Sequence, residues 1–465
     1  MTPEAPKFGT SGLRGLSEAL SDALVADYTA AFLRACDTGT GLYVGRDLRD
    51  SSPRIAQAVM ATAQAMGVAV TDCGVLPTPA LALAAMQAGA GALMVTGSHI
   101  PADRNGLKFY TPRGEILKAH EAAITAELGH APDPGPVAPA TTDARAAYAA
   151  RYVSAFGGQA LAGLRIGVYQ HSSVARDVMV DVVAALGGTP VALARSESFI
   201  PVDTEAVDAT TRAMLTGWCT EHALDALIST DGDADRPMLT DATGRIVPGD
   251  VLGALSARRL GARVICTPVS SNTMIAQMPE FAQVVLTRIG SPFVVAAMEE
   301  VLAGDPAARV VGYEANGGFL LGFAADEAAG ALAPLMTRDC LLPILAPLAA
   351  ARAAGRPLAD LVADLPARFT AADRIKGIAT EVSGPFLAEM SGDPARRAAF
   401  FADLGAEESV DLTDGLRVGF AGGEVVHLRP SGNAPEFRCY AEAATPERAE
   451  TLVATYLEKL RADLA

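Results

Sequence analysis

The chain has 465 residues, 50% of them apolar and 19% charged, with a mean hydropathy of +0.25. At about 150 residues per domain this favours roughly three domains over one and excludes both a mini-protein and a disordered chain. Lys and Arg number 37 against 53 Asp and Glu, a formal charge of −16, which argues against nucleic acid or an anionic membrane as partner and leaves phosphate binding to local clusters.

From Gly41 onward short apolar runs alternate with amphipathic segments, the pattern of α/β domains with largely parallel sheets. Gly41–Gly45 reads as a strand, Ser52 and Pro53 as the cap and first-turn proline of a helix reaching Gly67, and Val68–Asp72 as the next strand. Pro79–Ala88 follows as a helix and Ala92–Thr96 as a strand running into a polar loop, while residues 131–142, rich in Pro and Ala, read as a linker. A second unit runs from the strand Leu164–Tyr169 to the strand Leu224–Ser229 and again ends at a polar loop. A third has strands at Arg263–Thr267, Val284–Thr287 and Arg309–Gly312 and ends at the loop Glu314–Gly318. The residues do not repeat, but the architecture does. After about residue 366 come the short runs Val410–Leu412, Leu416–Phe420 and Glu424–Leu428 and an amphipathic helix, Pro446–Leu464, which point to a smaller α+β domain with an antiparallel sheet.

The six cysteines lie far apart, form no CxxC pair and sit mostly in apolar segments, so they read as reduced core thiols rather than zinc ligands. Residues 1–15 lack a basic stretch followed by an apolar run, and the apolar stretch 340–351 is short and carries Pro343 and Pro347, so a soluble cytoplasmic protein is expected.

Ligands of open α/β sheets bind beyond the carboxyl ends of the strands, and the polar clusters of this chain sit at those ends. In the loop from Thr96 to Lys108 a hydroxyl, Ser98, stands beside the His99 imidazole, with the Lys108 ammonium ten residues on, parts that can support covalent catalysis. A surface turn with incidental Ser and His is the alternative, and a G-x-S-x-G elbow is absent because Ile100 stands where its second glycine would be wanted. The loop Asp231-Gly232-Asp233-Ala234-Asp235-Arg236 sets three carboxylates at alternate positions, able to converge on one hard cation such as Mg2+. An EF-hand is excluded by Arg236 and Ala242 at its sixth and twelfth positions; a solvated acidic turn is the other reading. Between Arg429 and Arg438 the chain offers two guanidinium groups, the Ser431 hydroxyl, Gly432 and the Asn433 amide, the equipment of a phosphate site or of a β-turn with structural arginines. Near the N-terminus Phe8–Gly15 combines three glycines with Thr10, Ser11 and Arg14.

These four loops, in this order, resemble those of the α-D-phosphohexomutase superfamily, the phosphoglucomutase and phosphomannomutase enzymes, over the whole chain. The pattern T-x-S-H-N-P-x-x-x-N-G-x-K is matched by Thr96, Ser98, His99, Pro101, Asn105, Gly106 and Lys108, with Ile100 in place of asparagine, and D-G-D-x-D-R is matched without substitution. The sugar loop G-E-x-S-G is represented by Tyr313-Glu314-Ala315-Asn316-Gly317, and R-x-S-G-T-E-P departs at Asn433 and Ala434. Thr287-Arg288-Ile289-Gly290 is similar to a further substrate-contacting turn.

The resemblance implies three related α/β domains with mixed, mostly parallel sheets (1–145, 146–249, 250–365) and a smaller C-terminal α+β domain (366–465) around a central cleft. It implies that Ser98 carries the phosphoryl group and completes a Mg2+ site with Asp231, Asp233 and Asp235, and that Arg14, Lys108 and Arg236 surround the reacting phosphoryl group, with His99 beside it. Arg288, Glu314 and Asn316 would contact the sugar, and Arg429, Ser431, Gly432, Asn433 and Arg438 the phosphate that is not reacting. The expected activity is that of a phosphomannomutase working through a hexose 1,6-bisphosphate, which also serves as activator, with glucose phosphates as further substrates. Phosphoglucomutase activity comes next. Phosphoglucosamine mutase activity comes third, because its pattern G-E-Q-S-G-H is poorly matched at 313–318. The expected partner is a small hexose phosphate, with no nucleic acid and no membrane, and the chain is expected as a monomer or dimer. A Ser–His hydrolase has no use for the acidic triad, and a sugar-phosphate sensor has no use for Ser98.

Overall fold

The computed structural model describes residues 5–9, 11–430 and 436–464. Three sheets follow one another with the same strand order. In the first, Leu42–Arg46 lies in parallel between Val70–Val75 and Gly91–Val95, and Arg104–Thr111 runs antiparallel beside the latter. In the second, Arg165–His171 lies between Thr189–Arg195 and Ala226–Thr230, with Pro237–Thr240 antiparallel beside the last. In the third, Val264–Pro268 lies between Gln283–Thr287 and Val310–Tyr313, with Phe319–Leu321 antiparallel beside it and Leu335–Asp339 beyond. Parallel neighbours need crossover connections, and helices such as Ser52–Ala65 and Thr78–Gln87 supply them while covering the sheet faces.

The third strand of each set, Gly91–Val95, Ala226–Thr230 or Val310–Tyr313, is buried along its whole length. Each runs directly into a polar loop and returns as the antiparallel strand, so three chemically distinct loops hang from the same corner of three sheets. Sequence-based boundaries shift by one to three residues, and the first helix shows why. Ser51, not Ser52, precedes it, because the Ser52 hydroxyl instead donates to the buried Asp47 carboxylate at 2.5 Å. The N-terminal stretch is more than a glycine turn: Leu13–Leu16 pairs antiparallel with Arg104–Thr111 and sets Arg14 opposite Gly106. The expected linker has no regular structure at 131–139, then adds Ala140–Thr141 to the first sheet.

The terminal unit is a five-stranded antiparallel sheet in the order Phe369–Lys376, Glu436–Ala443, Val425–Pro430, Leu416–Phe420, Glu407–Asp411. The first two were hidden in the sequence because Arg374, Lys376, Glu436 and Arg438 interrupt their apolar alternation to face a cleft. The helix Pro446–Asp463, capped by the Thr445 side chain, buries Leu452, Tyr456, Leu457 and Leu460 in a core separate from the one joining the second and third units to the helix Thr78–Gln87 of the first. All six cysteines are buried and unpaired. Pro343 opens and Pro347 lies inside the helix Leu342–Ala354, and among the described residues no helix is long and apolar enough to cross a membrane.

Candidate active site

Beyond Gly91–Val95 the chain turns so sharply that Ser98 takes a left-handed backbone, φ +54°, a costly conformation for a side-chain-bearing residue that persists only where the surroundings impose it. Arg49 imposes it. From just past the strand Leu42–Arg46 its buried guanidinium donates to the carbonyls of Ser98 (2.8 Å), Ile100 (2.7 Å), Pro101 (2.7 Å) and Arg104 (3.1 Å). Asp47 completes the frame, pairing with Arg49 and accepting from the Thr96 hydroxyl at 2.8 Å. A Cβ on Gly97 would stand 2.5 Å from the Arg49 Cζ, so only glycine lets the loop lie this close. Sequence reasoning passed over Asp47 and Arg49, although charged residues just past a buried strand were the signal used for the other loops. Ser98 Oγ donates to Asp231 Oδ2 at 2.5 Å and lies 3.3 Å from His99 Nδ1.

Asp231, Asp233 and Asp235 are buried, each offering an oxygen within 4.8 Å of the others. Two of them divide their oxygens in the same way. Oδ2 of Asp233 accepts from Lys108 Nζ and the Thr78 hydroxyl, both at 2.6 Å, while Oδ2 of Asp235 accepts from Lys108 and forms an ion pair with Arg338 at 2.8 Å. Their Oδ1 atoms are buried without a hydrogen-bond partner, an arrangement expensive to maintain unless a cation meets them. Burial works against an ionised Asp233, but Lys108, Thr78 and Arg14 outweigh it and hold its carboxyl well below the usual range. Asp231 is driven well above that range by burial and by the charges of Asp233 and Asp235. A hard divalent cation fits these donors, and in size and charge Mg2+ suits them.

In front lies a cleft of about 580 Å3. It collects Arg14, His99, Arg236, Glu314, Asn316, Arg429 and Arg438, so the structure brings these expected residues together from all four units. Arg14 donates to the Thr96 carbonyl at 2.6 Å. His99 is held neutral: burial, then the charges of Arg236, Arg14 and Arg438, push its pKa well below the ordinary value. Asn316 Oδ1 accepts from the Gly318 amide at 3.0 Å, and Glu314 faces Arg338 at 3.6 Å. Ser98 and Lys108 are buried and are not among the residues that line this cleft, Lys108 being turned to the acidic loop.

Cross-strand pairing adds a residue that sequence reasoning missed. Arg429 is opposite Arg438, and Arg438 opposite Arg374, so three guanidinium groups form one row across three strands facing the cleft. Glu436 pairs with Arg374 at 3.3 Å and Arg438 at 3.4 Å, and Asp414 with Arg429 at 2.8 Å. Arg288 is placed differently: its exposed guanidinium donates to the Thr413 carbonyl at 3.2 Å, and its neighbour Ile289 reaches the cleft instead. Ser431, Gly432 and Asn433 lie outside the described residues. A second cavity, of about 570 Å3 near Arg417, Glu442 and His427, holds none of the nucleophile or acidic-loop residues.

Models of phosphoglucomutase/phosphomannomutase match the chain as alpha/beta/alpha domain I at residues 5–132, alpha/beta/alpha domain III at 248–369 and the C-terminal domain at 362–459. The chain is 46% identical to a phosphomannomutase of Sinorhizobium fredii over 99% of both sequences. It is 40% identical to a phosphomannomutase of Salmonella muenchen, over 98% of this chain and 96% of that one. A crystal structure of a phosphoglucomutase/phosphomannomutase family protein from Burkholderia thailandensis shares the fold, with a TM-score of 0.75 at 20% identity, covering 97% of this chain and 96% of that one.

Proposed function

Because the chain belongs to the phosphoglucomutase/phosphomannomutase family, we propose that it is a phosphomannomutase, interconverting mannose 6-phosphate and mannose 1-phosphate through a phosphoserine at Ser98. The observation that carries the site assignment is the junction of Ser98 Oγ with Asp231 at 2.5 Å, on the edge of a buried triad with two unpartnered carboxylate oxygens. Asp231, Asp233, Asp235 and the Ser98 phosphate would hold Mg2+, whose charge would offset the negative charge of the phosphoryl group.

In the first transfer the bond between Ser98 Oγ and phosphorus breaks as a bond forms from phosphorus to the free sugar hydroxyl, whose proton leaves to a base. The His99 Nδ1, 3.3 Å from Ser98 Oγ, is placed on the serine side of the phosphorus, to return a proton to the departing Oγ in this transfer and, as the neutral imidazole, to take the serine proton when Ser98 is phosphorylated again. Arg14 and Arg236 face the reacting oxygens, and Glu314 accepts from sugar hydroxyls. The product is a hexose 1,6-bisphosphate, which turns over in the cleft and returns its other phosphate to Ser98, while Arg374, Arg429 and Arg438 hold the phosphate that is not reacting. Bisphosphate added from solution would activate the enzyme by phosphorylating Ser98. Six buried, unpaired thiols fit a cytoplasmic location.

The test compares kcat/KM for mannose 1-phosphate, glucose 1-phosphate and glucosamine 1-phosphate on enzyme primed with bisphosphate. Mannose phosphate is expected first and glucose phosphate close behind, because Glu314 would read the 3- and 4-hydroxyls that the two share. A preference for the glucosamine compound overturns the assignment.

A further inference from the structure

Arg338 belongs to none of the loops that the sequence singled out. It leaves the strand Leu335–Asp339 with its side chain only 4% exposed and lines the cleft. Its Nη2 lies 2.8 Å from Asp235 Oδ2, 3.1 Å from Ser11 Oγ and 3.5 Å from Glu115 Oε1, and its Nη1 lies 3.6 Å from Glu314 Oε2. One guanidinium thus ties the acidic loop, the sugar loop and the first unit together.

Its stem passes directly over the sugar loop. A Cβ built on Gly318 would stand 2.8 Å from the Arg338 Cδ, 2.9 Å from its Cγ and 3.2 Å from its Cβ. In the pattern G-E-Q-S-G-H the corresponding position carries histidine. In this chain the same space is filled from a neighbouring strand, by a group that keeps its charge. Its charge faces those of Asp235, Glu115 and Glu314 at 2.8, 3.5 and 3.6 Å. Of the other acids lining the cleft, Glu436 pairs with Arg374 and Arg438, and Asp203 faces Arg374 at 3.9 Å.

We propose that Arg338 is a specificity-determining residue of the sugar subsite: it stands where a side chain on residue 318 would stand, balances Glu314, and admits neutral hexose phosphates while excluding amino-sugar phosphates. An amino sugar brings an ammonium group to a subsite whose carboxylate, Glu314, already faces a fixed cation at 3.6 Å, and like charges at close range repel. A hydroxyl in the same place meets no such repulsion. Through Asp235 and Glu314 the guanidinium also positions the acidic loop against the sugar loop. The inference rests on the phosphomannomutase reading.

The experiment measures kcat/KM for mannose 1-phosphate and glucosamine 1-phosphate with the parent protein, Arg338→Gln and Arg338→Lys, all primed with saturating bisphosphate, and follows the thermal transition of each. Arg338→Gln is expected to lower the mannose value by about 10- to 100-fold, because it strands buried carboxylates, and to shrink the mannose-to-glucosamine ratio by at least about 10-fold. Arg338→Lys keeps the charge but loses the fork, so KM for mannose phosphate should rise while the ratio stays within about threefold of the parent. An unchanged ratio in Arg338→Gln, or a ratio in Arg338→Lys that falls as far as expected for Gln, overturns the proposal. Should the Gln variant lack a thermal transition, the Lys variant decides alone. A parent that prefers glucosamine phosphate defeats the phosphomannomutase reading itself, whereas a mannose-preferring parent with an unmoved ratio in Arg338→Gln defeats only the role of Arg338.

Discussion

Ser98 is held in a left-handed turn by a buried arginine that spends its donors on the loop carbonyls, so its hydroxyl projects toward Asp231 with little freedom. Ser98→Ala removes the phosphoryl carrier and leaves that frame in place. Turnover should fall by at least about 1,000-fold, the phosphate should vanish from the intact mass, and the melting temperature should hardly change; isomerisation at the parental rate would sink the covalent route. Asp233 is the aspartate with one oxygen on Lys108 and Thr78 and the other unpartnered. Ligand binding to the folded state alone stabilises it by about 2.7 kcal/mol at a hundredfold excess over Kd, so Mg2+ should raise the melting temperature of the unphosphorylated protein and chelator should reverse this. Asp233→Asn should abolish most of the shift, and a shift of parental size would show that the cation binds elsewhere.

At the scale of elements, the instructive feature is the strand pairing that lines up Arg374, Arg438 and Arg429. Each is separately part-neutralised by Glu436 or Asp414, which keeps the row from repelling itself while a phosphate is absent. A hydrogen bond to a charged group is worth about 1.5 to 3 kcal/mol, so Arg438→Ala should raise KM by about 10- to 100-fold, with Arg374→Ala following in the same direction. A loosened clamp should also let the bisphosphate escape before the second transfer, so both variants should need more added bisphosphate to sustain turnover. Titration of the activator reads this directly: unchanged KM and unchanged demand would make the row structural. Arg438→Lys should recover only part of the loss, since lysine keeps charge without the planar fork.

For the whole molecule, acid stability turns on buried titratable groups. His427, with Nε2 2.6 Å from the Asp414 carbonyl, is pushed down to about 4 by burial, aided by Arg417 and Arg429 and opposed by the Asp414 bond. His171 is likewise pushed down to about 4 by burial, against its bond to the Thr230 carbonyl. An unfolded histidine titrates at 6.5, so as pH falls from there to about 4 the unfolded chain gains protons that the folded one refuses. Stability is lost across that window, by up to about 3 kcal/mol for each residue. Asp250, pushed up to about 6 by burial, has the opposite slope between about 3.8 and 6, because its folded form keeps the proton, and the carboxyls of Asp231, Glu314 and Asp339, also raised by burial, act in the same sense, while His99 sides with the other two histidines. Between pH 7 and pH 5, therefore, the melting temperature of His427→Gln should fall less, or rise more, than that of the parent protein. A slope unaltered by that substitution would exclude His427 as a contributor.

What was legible in the sequence was what lies close along the chain. A hydroxyl beside an imidazole, three carboxylates at alternate positions and two arginines bracketing a glycine each follow an apolar strand, and spacing over a few residues constrains them to one loop whatever the rest of the fold does. The same locality made the repeated α/β pattern readable, since apolar period and turn residues report on one element at a time. Tertiary structure decided which loop meets which. Arg14 reaches the nucleophile loop because Leu13–Leu16 pairs with Arg104–Thr111, and Arg374 joins Arg438 and Arg429 in one row because its strand, distant in sequence, lies in register with Glu436–Ala443. Arg338 meets Asp235 and Glu314 across a turn, a strand and a hundred residues of chain, and Arg288 turns to the Thr413 carbonyl instead of the cleft. Such partnerships arise from the burial of apolar faces and the satisfaction of buried charges, which are properties of the packed chain and leave no fixed spacing in the sequence.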